Sequence, residues 1–279
     1  MPAPDLDRKE ETKPAGIPLR IHQIQDGLAT NRLGKQIHYL IEVDSTNSHA
    51  RRLAEQKAPE GEVVIAESQT HGRGRLGRPW VSPPYVNLYL SVILRPTLPP
   101  IDAPQITLMA AVALAESLAA FIPVFPAIKW PNDILAGGRK LAGILTESAC
   151  HGERVDFVIL GIGVNINYPV ESMPDALRQR ATSMIGLTGA SVSRESVVRR
   201  LIQGLDRCYG ELEEMGFQAL APRWEARFEL RGKKVRVEMT DRIIMGTARG
   251  IDRDGALVLE DGRGELQRVV AGEVVPVRD

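Results

Sequence analysis

The chain has 279 residues, 43% of them hydrophobic, and its 35 basic and 35 acidic side chains leave no net charge. That length and apolar content allow one large domain, or a large and a small one, with a true core. The charge balance excludes attachment to nucleic acid or to a membrane surface through the overall field of the protein.

Residues 1–20 mix proline with charges of both signs and are expected to form a disordered tail, with order beginning near Ile21. His38 to Val43 reads as a strand. Asp44-Ser45-Thr46-Asn47 supplies candidate helix caps, and a helix is expected from there to about Lys57. Val63 to Ala66 reads as a buried strand that feeds a glycine- and arginine-rich loop. Val86 to Leu94 reads as a strand ended by Pro96. Gln105 to Phe121 is rich in alanine and leucine with no breaker, the pattern of a core helix. A hairpin-like region is expected from Lys129 with its turn at Gly137-Gly138. Strands are expected at Leu141 to Glu147 and Val155 to Asn167. Arg194 to Met215 reads as a long amphipathic helix, and a second helix is expected over Phe217 to Phe228.

The character changes after Gly232. Lys233–Glu238, Arg242–Ile251, Ala256–Glu260 and Gln267–Val270 read as short alternating strands, with Asp254-Gly255 and Asp261-Gly262 as hairpin turns. The expected organisation is therefore a tail (1–20), an α+β domain (21–230) and a small barrel-like β unit (231–279). Cys150 and Cys208 stand far apart with no metal-ligand spacing and are expected to be reduced packing residues. No charged start leads into an apolar leader, and no apolar run is read as approaching the ~18 residues of a membrane span, so the protein is expected in the cytoplasm and away from membranes.

Chemistry concentrates in a few segments. Gly72-Arg73-Gly74-Arg75-Leu76-Gly77-Arg78-Pro79-Trp80 alternates glycine, which lets backbone approach an anion, with arginine, whose fork matches phosphate and carboxylate oxygens. By itself it fits either an anion-binding loop or a solvated flexible one. No phosphate-loop motif and no dinucleotide fingerprint accompanies it. Lys129-Trp130-Pro131-Asn132-Asp133 brings a cation, an amide and a carboxylate to a rigid step. It fits a phosphate and Mg²⁺ site, with Asp133 as the candidate metal ligand, or a capped turn with a surface ion pair. Lys140, just after the Gly137-Gly138 turn, fits the mouth of a pocket or an edge strand.

In order and spacing these segments, with Gln69, Arg139-Lys140-Leu141-Ala142-Gly143 and Gly161-Ile162-Gly163-Val164-Asn165, resemble the biotin protein ligases from about Ile21 to the carboxyl terminus. The resemblance implies a mixed-sheet catalytic domain followed by an SH3-like β-barrel domain. It implies that biotin and ATP, with Mg²⁺, form biotinyl-5′-AMP and pyrophosphate. The biotinyl group then passes to a lysine of a biotin carboxyl carrier protein, such as that of acetyl-CoA carboxylase. By the same resemblance Lys140, Arg75 and Arg73 are the catalytic residues. Ser45, Thr46, Asn47, Gln69, Gly72, Arg73, Gly74, Arg75, Lys140, Gly143 and Gly161 would bind biotin. Arg75, Arg78, Trp80, Lys129, Asn132, Asp133 and Lys140 would bind ATP. Gly163 and Asn165 are expected to shape the adjacent turn. Hydroxyls and amides suit an uncharged ureido ring with two N–H donors and a carbonyl.

Bifunctional members carry an amino-terminal winged helix-turn-helix. None fits the residues before Asp44, so a ligase that does not bind DNA is expected. Some members form homodimers by pairing sheet edges. Two other readings stand beside this one: a lipoate or octanoate ligase or transferase of the same fold, and a nucleic-acid-binding module or transcriptional repressor using the Gly-Arg loop. The polar set at 45–47 and 69 weighs against the first, and zero net charge with few aromatics weighs against the second.

Overall fold

A computed structural model describes residues 16–239 and 241–277. The tail expected at 1–20 lies outside the described residues up to position 15. From there on order begins earlier than Ile21, because Leu19 is buried and its amide donates to Glu67 Oε1 at 2.6 Å.

A short helix α1 (Ile21–Gln25) precedes β1 (Ile37–Val43), α2 (Thr46–Glu55), β2 (Val63–Gln69), β3 (Leu88–Leu94) and α3 (Pro104–Leu118). Then come β4 (Ala127–Lys129), β5 (Asp133–Ala136), β6 (Arg139–His151) and β7 (Arg154–Val164). Short helices α4 (Asp175–Arg178) and α5 (Met184–Thr188) lead to α6 (Arg194–Met215) and α7 (Ala221–Glu225). The β strands form a seven-stranded sheet in the order β1-β2-β3-β7-β6-β5-β4. Only β1 and β2, joined through α2, pair in parallel, and the other neighbours are antiparallel. This is the mixed α+β sheet that hairpin-linked strands imply.

Pairing places Ser91, Gly161 and Leu145 in one row across β3, β7 and β6, and Tyr89, Gly163 and Gly143 in the next. With a period of two these residues share one face of the sheet, the face toward α2. The opposite face packs on α3 and α6. Nearly all of α3 is buried, which explains a sequence that is apolar all round rather than on one stripe. With the turn before it, Pro100–Leu118 has the length and apolarity of a membrane span, against the expectation that no run comes near one, but 67% of it is buried inside the fold. The α3 and α6 axes come close because α6 carries Gly204 at the crossing: a Cβ there would lie 2.7 Å from Ser117 Oγ. A large side chain at 204 would force the helices apart, at roughly 1–3 kcal/mol or more.

The expected helix over Phe217 to Phe228 is instead a 3₁₀ turn (Phe217–Ala219) followed by α7, with Pro222 in the first turn of α7, where its missing N–H is harmless. The carboxyl-terminal unit is a separate antiparallel sheet of β8 (Lys234–Glu238), β9 (Ile243–Ile251), β10 (Leu257–Glu260), β11 (Leu266–Val269) and β12 (Glu273–Pro276), in the order β11-β10-β9-β8-β12, consistent with an SH3-like unit. Sequence pattern showed four of these strands and missed β12, whose Glu-Val-Val-Pro run is too short to display alternation. The two sheets touch where Trp130 Nε1 donates to Gly255 O at 3.1 Å. Of the two cysteines, Cys208 is buried as expected, but Cys150 is exposed near the end of β6 and is not a packing residue.

Candidate active site

Six elements converge on the α2 face of the large sheet. The first turn of α2 brings Ser45, Thr46 and Asn47, all buried. Ser45 occupies the N-cap position but makes no capping bond. The polar side chains at 46 and 47 are turned instead to one another's neighbours in the site. Gln69, at the end of β2, accepts from the Thr46 amide at 2.9 Å and the Thr46 hydroxyl at 3.1 Å. Its Nε2 donates to Ser82 Oγ at 3.0 Å, which ties the end of β2 to the far stem of the Gly-Arg loop. Ser91 of β3 donates to Asn47 Oδ1 at 2.7 Å and lies 2.8 Å from Thr46 Oγ1.

The loop from Gly72 to Trp80 folds back on itself. Trp80 N donates to Gly72 O at 2.9 Å and Gly74 N to Arg78 O at 2.7 Å. At its tip Leu76 adopts φ 55° and is 74% exposed, an apolar side chain held out on strained backbone. Gly72 is packed too closely for a side chain, since a Cβ would lie 2.6 Å from Trp80 O. The Trp80 ring rests on the sheet over Gly163, where a Cβ would come 2.5 Å from it. Gly163 is therefore a residue of β7, one before its end, that seats an aromatic ring rather than forming the turn as expected. Gly161 serves in the same way under Asn47, whose Oδ1 would be 2.1 Å from a Cβ at that position. Asn165 does act at the turn, donating to Thr182 O at 3.0 Å.

Lys140, on β6, lies between these parts. Its Nζ is 2.7 Å from Asp133 Oδ1 and 5.3 Å from the centre of the Trp80 ring. The backbone of Lys140 is fixed by residues the sequence did not single out: its N–H donates to Arg180 O at 2.8 Å and its carbonyl accepts from Thr182 N at 2.9 Å. Two polar atoms beside Lys140, Trp80 Nε1 and Asp133 Oδ1, are buried without a hydrogen-bond partner. The Lys140–Asp133 contact is a charge contact without hydrogen-bond alignment. Unpaired buried polar atoms are few in folded proteins, and these two adjoin the same lysine.

The three loop arginines and Lys129 fall differently. Arg73 donates to Ser48 Oγ at 3.1 Å and lies 3.5 Å from Glu147 Oε1. Arg75 turns the other way, donating to Asn132 Oδ1 at 3.3 Å and to Gly272 O at 3.4 Å, and burial pushes its pKa below the usual guanidinium value. Arg78 pairs with Glu273 at 2.7 Å, and that hydrogen bond holds the Glu273 carboxyl below its ordinary pKa. The Gly-Arg loop thus spans from the α2 face to the start of β12. Lys129 stands opposite Asp133 in the backbone register of β4 and β5. Asn132 donates to Ile144 O at 2.8 Å. Arg75 and Asn132 also border a cleft of about 290 Å³ that includes Thr107, Thr146, Gly255 and Val270. Because Thr146 alternates with Leu145 and Glu147, this cleft opens on the α3 side of β6, away from Thr46 and Asn47.

The sequence reading missed Ser91 and Glu147. Both are polar residues inside otherwise apolar strands, a signal that was present in the residues. It missed the 180–182 segment because that contact is made by backbone alone.

A mixed sheet carrying a cationic loop beside a cluster of polar side chains, followed by a small antiparallel sheet, is the two-part architecture of a class of ligases to which this chain is similar. Residues 39–165 match the Biotin/lipoate A/B protein ligase family, and residues 231–275 match the biotin protein ligase C-terminal domain. The Biotin--[acetyl-CoA-carboxylase] ligase of Mycobacterium tuberculosis is 38% identical over 94% of this chain and 97% of its own length. The bifunctional ligase/repressor BirA of Bacillus spizizenii is 36% identical over 90% of this chain and 77% of its own. Among solved structures, the biotin protein ligase from Aquifex aeolicus in complex with biotin and ATP covers 88% of this chain and all of its own, at 28% identity and a TM-score of 0.76. The chain belongs to the biotin protein ligases of this family.

Proposed function

We propose that this chain is an ATP-dependent biotin protein ligase. It joins biotin to ATP as biotinyl-5′-AMP, releases pyrophosphate, and passes the biotinyl group to a lysine of a biotin carboxyl carrier protein such as that of acetyl-CoA carboxylase. The observation that carries the reading is the hydrogen-bonded set of buried Thr46, Asn47 and Ser91 with half-buried Gln69, on the same sheet face as the Trp80 ring that Lys140 adjoins. The amide and hydroxyl groups offer donors and acceptors to a neutral ureido ring. The cations lie at the other end, where a carboxylate would be activated.

In the first step a carboxylate oxygen forms a bond to the α-phosphorus and the bond to pyrophosphate breaks. Two anions must meet, so the barrier is largely electrostatic. Lys140 is placed to pair with the incoming carboxylate and the α-phosphate, and Asp133 holds its ammonium at the site beforehand. Arg73 supplies a second cation from the loop, and Arg75 and Arg78 tie the loop to the carboxyl-terminal sheet. Ser45, Gly72 and Gly74 complete the pocket wall, and Gly143 and Gly161 leave room on the floor. Trp80 offers an aromatic face for the adenine, with Lys129 and Asn132 beside the phosphates. In the second step the amine of the target lysine attacks the acyl carbon, and AMP leaves.

Among the described residues no group of three acidic, histidine or cysteine side chains is placed to hold a metal ion. Mg²⁺ needs no such cage, since one carboxylate and substrate phosphates suffice. The Asp133 carboxylate, through the oxygen that does not face Lys140, fits that part. When bound, Mg²⁺ would offset charge on the phosphates. Beyond Gly143, β6 pairs with β7 alone among the strands, so its Leu145–His151 edge is open to pairing between two copies. Pyrophosphate exchange into ATP tests the proposal. Biotin should support it and lipoate or octanoate should not. Exchange with an acyl acid but not with biotin would overturn the reading in favour of a lipoyl-type enzyme.

A further inference from the structure

Glu147 has no place in the reaction as described, yet it touches two of its parts. It stands on β6 in the same facing row as Ile159 of β7, on the α2 face. Its Oε2 accepts from Asn47 Nδ2 at 2.7 Å, and its Oε1 lies 3.5 Å from Arg73 Nη2. A carboxylate facing Arg73 competes with any anion for that arginine's charge unless it does something else for the site.

An amide side chain has two similar ends, one donor and one acceptor. A carboxylate can only accept, so Glu147 requires the NH₂ end of Asn47. The Leu145 carbonyl, 3.3 Å from the same nitrogen, requires it too. Oδ1 must then point the other way, to the Ser91 hydroxyl and over Gly161, where the floor has no side chain. The outcome is an acceptor held beside Ser91 whose second lone pair is left for an N–H of a ureido ring. The other Glu147 oxygen meets the arginine that the loop directs back toward α2, so the pocket floor and the loop share one anionic anchor.

Resting on the biotin-ligase reading, we infer that Glu147 is a positioning residue with two effects. It sets the acceptor end of Asn47 toward the ligand, and it tethers the Gly-Arg loop through Arg73 until a substrate anion takes over that arginine. Both effects belong to biotin rather than to ATP. Glu147→Gln separates them: its carbonyl still accepts from Asn47, but the charge facing Arg73 is gone. Glu147→Ala removes both.

The experiment compares the two variants with the parent. Steady-state pyrophosphate exchange gives the KM for biotin and for ATP, and limited trypsin digestion without ligand gives the rate of cleavage after Arg73 and Arg75. Glu147→Ala should raise the biotin KM about tenfold or more, as expected for losing a hydrogen bond to a charged group, with the ATP KM within about twofold. Glu147→Gln should keep the biotin KM within about threefold while loop cleavage rises several-fold. Equal effects on both KM values, or an unchanged biotin KM in Glu147→Ala, overturns the orienting role. Unchanged cleavage in Glu147→Gln overturns the tether. A parent with no biotin-dependent exchange would refute the functional reading instead, and the digestion result would still decide the tether.

Discussion

Lys140 Nζ lies 2.7 Å from Asp133 Oδ1, with the Trp80 ring centre 5.3 Å from the same ammonium. The pair is only partly exposed, so the charges are screened less than a surface pair. An anion arriving at this lysine meets a cation already aimed by a carboxylate, with no reorganisation left to do. Lys140→Ala should therefore lower kcat for pyrophosphate exchange by about 10²–10³-fold, the loss typical of one pre-oriented charge-stabilising group. The midpoint of thermal unfolding should stay within a few degrees of the parent. Near-parent exchange in this variant would show that Lys140 is not the main stabilising charge.

Much of this site could be read from the residues before the fold was known. The Gly72–Trp80, Lys129–Asp133 and Arg139–Gly143 segments carry their chemistry in short runs, so local composition displays it. What stayed hidden depends on long-range contact. Glu147 meets Asn47 only because β6 lies beside β7 and α2 crosses that face. Gly163 looked like a turn residue because glycine is ambiguous by itself, and only the ring seated above it shows why β7 needs it. The strand β12 was missed because its pairing with β8, not its own pattern, defines it. Order at residues 17–19 was hidden because the groups that hold it, Glu67 and Arg194, are 127 residues apart in sequence.

The cysteines differ in chemistry as well as exposure. Burial pushes the Cys208 thiol up to about 11, while Cys150 is exposed. The thiolate is the reactive form, so Cys208 should be inert at pH 8. A thiol-disulfide exchange reagent should titrate one thiol in the native protein and two after denaturation. Cys150→Ser should abolish the native reaction, and a persisting native thiol in that variant would show that Cys208 is accessible.

Asp44 and Arg52 form a two-point pair at the start of α2, with bonds of 3.0 and 3.1 Å. The hydrogen bonds from Arg52 hold the Asp44 carboxyl at about 2, below its ordinary 3.8. A carboxylate with a lowered folded pKa stabilises the protein above its unfolded pKa, and loses that effect as pH falls toward the folded value. Both side chains are about half exposed, so solvent screening limits the effect to below about 1 kcal/mol. Asp44→Asn should be slightly less stable than the parent at pH 7, by urea unfolding, and equal to it near pH 2. A gap that is constant across that range would assign the effect to packing rather than charge.

Glu67 and Arg194 form the most deeply buried ion pair of the described residues, 0% and 5% exposed, with Arg194 Nη1 donating to Glu67 Oε2 at 2.7 Å. Tyr39 also donates to Glu67 at 2.7 Å, and burial followed by that hydrogen bond raises its phenol pKa. Arg194 further donates to Ile17 O and Asn87 O, so the pair fastens the segment before α1 to β2 and the start of β3 in the large sheet. Removing one partner strands a charge away from water, whereas removing both does not. Arg194→Met should destabilise the protein by about 3–5 kcal/mol, and Glu67→Leu added to it should recover a large part of that loss. The recovery measures the coupling, provided both variants unfold in a single transition. If the double variant is as unstable as the sum of the two single ones, the cluster acts through its backbone contacts to Ile17 and Asn87 and not through the pairing of charges.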